Sequence, residues 1–224
     1  MTLRFIFINL LSLLISNSAI ADQLKEVRIS EALQMRPSVS FGYGNEGNGA
    51  RATLDLNTTM DMQILLQYEL QRDFNVHNIR SAARHKRLSK GIIVDYVQDD
   101  SADSSLNGSV SLFDVYSIDN QTLLVPSLGF GATSEEWADN YAYFSKIQFR
   151  YFRKLPMNSW VTVSPTAILG LNQLKSNFEH ESVSEVSIDG TLGYRLDDRQ
   201  SIFIDANFTD HKELISSINY EINF

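Results

Sequence analysis

Histidine is the side chain best suited to acid–base or metal chemistry near neutral pH. This chain of 224 residues has four: His77, His85, His180 and His211. None falls in a His-x-x-x-His spacing and there is no cysteine, so neither a helical zinc motif nor a thiolate site is legible. Two histidines do stand beside carboxylates, in Asp210-His211 and Glu179-His180-Glu181. A carboxylate that orients an imidazole can help it activate water or a serine hydroxyl. The enzymatic alternative is therefore a hydrolase at an outer rim, with His211, Asp210 and His180 as its residues. No serine stands in a recognisable relation to either pair. The expectation is a non-catalytic protein with no metal and no cofactor. Acidic stretches such as Asp99-Asp100 offer oxygen ligands to calcium, but solvated loop acids are the simpler reading.

A second set of charges is set by pattern. Most of the chain alternates apolar and polar residues with period two, the mark of strands with one apolar and one wet face. The cleanest case is 61–70. Met62, Ile64, Leu66, Tyr68 and Leu70 take one face, and Asp61, Gln63, Gln67 and Glu69 the other, with Leu65 the exception. In 141–154 Tyr141, Tyr143, Ile147, Phe149 and Tyr151 oppose Lys146, Gln148 and Arg150. Collecting the wet faces gives Glu69, Lys146, Arg150, Glu185, Asp189, Arg195, Asp205 and Glu221, with Phe144, Trp160 and Phe203 among them. Charges of both signs can pair and fill an interior, which predicts a narrow, partly plugged or closed lumen. Arg80, Arg84, Lys86, Arg87 and Lys90 form the only basic cluster. It reads as a solvated turn in preference to a patch for lipid phosphates.

Several features bear on what holds these faces. Residues 1–21 have one charge, Arg4, then the apolar run Phe5–Ile15, then Ala19-Ile20-Ala21. That is the pattern of a cleaved secretory signal. Residues 22–36 read as a periplasmic lead-in, and 37–224 as the main body. A net charge of −8 argues against nucleic acid as a partner. The strand at 61–70 exceeds the usual soluble strand of about 5–6 residues and matches the roughly 9–11 that cross a bilayer at a tilt.

The last stretch alternates to the final residue, with Ile218, Tyr220, Ile222 and Phe224 on one face. This resembles the terminal strand of Gram-negative outer-membrane β-barrels. The resemblance implies that these four residues are the signal read by the barrel assembly machinery. It also implies an outer-membrane location and contact with membrane lipid and lipopolysaccharide. The expected fold is all-β: a closed antiparallel transmembrane barrel, whose strand number should be even. A strand within 74–82 makes twelve; dropping 37–43 makes ten, the alternative. The loops at 99–106, 131–140, 172–182 and 209–214 should then lie outside, and shorter turns at 117–120, 155–158 and 196–199 in the periplasm. Twelve strands also resemble, weakly, a solitary autotransporter-type barrel. The functional expectation is a structural barrel or narrow small-solute channel. A rim hydrolase and a surface receptor or attachment barrel that binds an unidentified extracellular ligand are the alternatives.

Overall fold

The computed structural model describes residues 33, 37–57, 62–85, 88–101, 104–176, 180–210 and 214–224. The signal segment, Lys86, Arg87, Glu179 and His211 lie outside these residues. Twelve long strands form the wall: β1 (Ser38–Gly44), β2 (Gly47–Asn57), β3 (Met62–Gln71), β4 (Val76–His85), β5 (Gly91–Asp99), β6 (Ser105–Phe113), β7 (Thr122–Glu135), β8 (Ala142–Lys154), β9 (Ser159–Gly170), β10 (Glu185–Arg195), β11 (Gln200–Thr209) and β12 (Leu214–Asn223). Each pairs antiparallel with its neighbours in sequence, and β1 pairs with β12 from Ser38↔Asn223 to Gly44↔Ser217. The Phe224 N–H donates to the Pro37 carbonyl at 3.1 Å and extends this seam. Closure leaves no free sheet edge, the condition a β-structure must meet to cross lipid. Ser38 and Asn223 meet at one end, the terminal rim; the Asn45-Glu46 hairpin lies at the other, the far rim.

The two faces separate as the alternation predicts. Phe41, Tyr43, Leu54, Val94, Val110, Leu112, Phe130, Ile188, Leu192, Ile204 and Ile218 are exposed on the outer face. Alternate positions, including Ser38, Ser40, Thr53, Gln67, Thr162, Ser164 and Ser201, are buried inside. A soluble protein does not leave a continuous apolar belt in water; lipid is the solvent this surface fits. Tyr43, Tyr68, Tyr141 and Tyr143 lie toward the far rim and Tyr194 and Tyr220 toward the terminal rim, where amphipathic rings form girdles.

Local chemistry explains the joins. Met157 and Asn158 both have φ of 58°, and the Ser159 N–H closes the turn on the Pro156 carbonyl. This is the primed turn that matches strand twist. Pro126 sits inside β7 without disrupting it. Its carbonyl accepts from Asp114, just past the end of β6. In an antiparallel strand a residue's N–H and C=O point to the same neighbour, so the missing donor faces a gap in the ladder.

Four expectations are corrected. Arg80 and Arg84 are not in a solvated turn. They point inward from β4, whose outward residues are His77, Ile79, Ser81, Ala83 and His85. The alternation of residues 109–117 slips near Asp114, where a bulge is the expected cause; instead β6 ends at Phe113 and a short piece, Tyr116–Ser117, follows. Residues 131–135 belong to β7 rather than to a loop. The expected contrast in connection length is weak, since 114–121 at the terminal rim is longer than 100–104 at the far rim. Only 171–184 is long, and it folds back through the Gln173–Lys175 and His180–Ser182 hairpin.

Candidate functional site

The barrel interior has two unlike halves. Toward the terminal rim the inward side chains on the β3–β8 side are mainly apolar and packed. Leu65, Ala82, Ile93, Phe113, Val115, Leu123, Val125 and Phe152 form one buried cluster, with Trp160 against it. Leu33 joins them at 3% exposure. It belongs to the segment read as a periplasmic lead-in, yet it lies inside the wall. The inward-facing Ser38 and Ser201 beside this end are 2% and 0% exposed, so little solvent reaches them. Several of these apolar side chains come from strands on one side of the barrel, β3 to β8. Leu65, the one break in the β3 alternation, is the most shielded of them at 0%.

Inward aromatics stand opposite glycines. Trp160 pairs across strands with Gly193, and Phe144 with Gly131. A Cβ on Gly193 would come within 2.1 Å of the Trp160 ring. The missing side chain is what lets the ring lie flat on the wall.

Above the plug a cavity of about 750 Å³ extends to far-rim residues such as Glu46 and Asn48. Glu69, Lys146, Arg150, Glu185, Asp189, Asp205 and Glu221 line it; Arg195, nearer the terminal rim, does not. Arg51, Arg72, Arg80 and Glu46 also line it and lie outside the sequence-derived set. Arg51 alternates with the apolar Ala52, Leu54 and Leu56 of β2, so period two held its signal.

The charges are mostly paired. Arg51 donates to Glu69 at 2.6 Å, its direct cross-strand partner, and stands 3.8 Å from Asp205. Its guanidinium also lies over the Phe203 ring, 5.7 Å from the centroid. Arg80 donates to its cross-strand partner Asp95 at 2.6 Å. Lys146 reaches the same carboxylate from β8 at 3.5 Å. Arg150 meets neutral oxygens instead: the Leu33 carbonyl at 2.5 Å and Ser164 Oγ at 3.3 Å. The acidic side runs over β10 to β12. Asp189 accepts from Asn207 at 2.6 Å, and Asp205 from Thr191 at 2.6 Å and Asn219 at 3.2 Å. Glu221 accepts from Ser38 at 3.2 Å and Ser201 at 3.5 Å.

The rim residues considered for hydrolysis are placed apart from this cavity. His180 is exposed in the 171–184 hairpin, opposite Lys175. Asp210 accepts the Val186 N–H at 3.2 Å. No group of three metal-ligating side chains is gathered among the described residues. At the same rim Arg72 bridges Glu46 (2.5 Å) and Asp99 (3.1 Å), tying three hairpins together.

No protein-family model matches the chain, and no curated protein matches it in sequence. Solved structures do. The NanC porin aligns over 84% of this chain and 98% of its own, with a TM-score of 0.56 and 9% identity. The KdgM porin aligns over 84% and 99%, with a TM-score of 0.50 and 7% identity. At such identities the likeness concerns the backbone and not the lumen residues. Closed twelve-stranded architecture, an apolar outer belt and these two matches together give this chain the fold of the outer-membrane β-barrel porins.

Proposed function

We propose that this protein is an outer-membrane channel of narrow bore for small polar solutes, without catalytic activity. The observation that carries the reading is a polar cavity of about 750 Å³, which runs from the far rim into the barrel and is lined by charges of both signs. Five lining cations, Arg51, Arg72, Arg80, Lys146 and Arg150, face six lining carboxylates, Glu46, Glu69, Glu185, Asp189, Asp205 and Glu221. Near balance argues against a strongly ion-selective pore. In planar bilayers the protein should give small conductance steps, with a reversal potential near zero under a salt gradient. A large conductance, or complete silence, counts against the reading.

The exported state rests on the signal pattern of residues 1–21, and assembly on Ile218, Tyr220, Ile222 and Phe224. These four project outward at the closing strand, where lipid, lipopolysaccharide and the assembly machinery would meet them. Deleting Phe224 should sharply reduce the heat-modifiable, folded fraction in outer membranes. An unchanged folded fraction removes the assembly-signal role. The strand count also suits a solitary autotransporter-type barrel.

A further inference from the structure

We propose that the cavity is a binding site for small zwitterionic solutes, whose anionic group meets Arg150 and whose cationic group meets Asp189 and Glu221. This rests on the channel reading and names its substrate class.

The partner sets carry the inference. On β2 to β5 the lumen charges close on one another, as Arg51–Glu69 and Arg80–Asp95. Lys146 also reaches Asp95, and Arg51 lies near Asp205, but three lumen charges stay without an ion pair among the described residues. Arg150 has no carboxylate oxygen within salt-bridge distance among the described residues; its partners are a main-chain carbonyl and a hydroxyl. Asp189 and Glu221 likewise receive only amide and hydroxyl donors. Neutral partners orient a charge without cancelling it, so the field between β8 and β10–β12 persists. In a narrow lumen with low-dielectric walls such a field is weakly screened. Arg51 Nε, Asn78 Oδ1 and Thr209 Oγ1 are also buried in the wall of this cavity without a partner among the described residues.

The sign pattern then selects. An anion gains at Arg150 and loses against Asp189 and Glu221. A cation does the reverse. A neutral solute gains little from either. Only a solute with both charges gains at both walls, which is discrimination by attraction and repulsion together. The volume of about 750 Å³ falls inside the range of roughly 300–1,000 Å³ typical of small-molecule sites.

The chain has two tryptophans, and Trp160 lines the cavity. In the folded full-length Trp137→Phe variant, Trp160 fluorescence therefore reports lumen occupancy without requiring transport. Four probes of nearly equal size test the sign pattern: alanine (zwitterion), lactamide (neutral), lactate (anion) and alaninamide (cation). Alanine should bind at least about tenfold more tightly than the other three, the ratio set by one retained ion pair of about 1.4 kcal/mol. Arg150→Gln and Asp189→Asn, each confirmed as folded by heat-modifiable migration, should both erase the preference. If one variant does not assemble, the other decides. Equal binding of the four probes, tighter binding of a singly charged one, or a preference that survives the substitutions overturns the proposal. Proteoliposome swelling with the same probes separates the two levels. Alanine preference at Trp160 without flux removes the channel and leaves the site. Flux of all four without preference removes the site and leaves the channel.

Discussion

Replacing Asp95 with alanine should cost the barrel about 3 kcal/mol, toward the lower end of what stranding a buried charge costs. Two cations depend on this one carboxylate. Arg80 holds it from the neighbouring strand at 2.6 Å, and Lys146 from three strands away at 3.5 Å. All three side chains are largely shielded, at 12%, 23% and 16% exposure for Asp95, Arg80 and Lys146. Without Asp95 they face each other with no anion between them. The effect is therefore not the loss of a surface ion pair, worth about 0–1 kcal/mol. Equilibrium urea unfolding in detergent or liposomes measures it. Asp95→Ala combined with Arg80→Met should recover much of the loss, because the pair is replaced as a unit. A single variant no less stable than a turn variant such as Asp198→Ala would show that the lumen solvates these charges fully.

Ile204→Arg should cost about 2–4 kcal/mol, the penalty for arginine on the lipid face near mid-bilayer. Ile204 lies midway along β11, points outward and is 49% exposed in the protein alone. Leu196→Arg is the matched control. Leu196 is similarly exposed at 48% but lies in the turn at the terminal rim, where the penalty falls to about 0–1 kcal/mol. Comparing the two by urea unfolding in lipid separates depth from exposure. Equal losses would contradict a membrane-crossing β11.

These effects follow from faces, and faces were the most legible property of the sequence. In β3, β8, β10, β11 and β12 polar and apolar residues separate with period two, and the structure keeps that separation. In β7, Leu123 and Val125 point in and Leu124, Pro126, Leu128 and Phe130 point out, so the outer face is legible although both faces are apolar near Leu123. The apolar inner face there is explained by its neighbours: inward residues meet Phe152 and Val115 instead of water. Legibility failed in β4. Outward His77, Ser81 and His85 are as polar as inward Asn78, and Arg80 and Arg84 looked like part of a basic turn. The outward His77 is satisfied locally, through Tyr68 at 2.7 Å, which no periodicity reveals.

The site was legible as a list and not as an arrangement. The eight lumen candidates came from alternation alone. Which of them pair was hidden, since Lys146 meets Asp95 only because the sheet curves and closes. The plug was hidden for the same reason. Leu33 lies outside the barrel strands, and its carbonyl meets Arg150 across a separation of 117 residues.

Whether the polar vestibule narrows to an apolar constriction before the terminal rim can be measured on a single strand. The chain has no cysteine, so one introduced thiol is the only thiol. Asn207 and Ser201 both point inward from β11, but Asn207 lines the cavity whereas Ser201, at 0% exposure, lies beside the plug. Reconstituted Asn207→Cys should react readily with a small charged thiol reagent, and Ser201→Cys should stay unlabelled while the protein is folded. Equal labelling of the two would mean that no constriction separates the vestibule from the terminal rim.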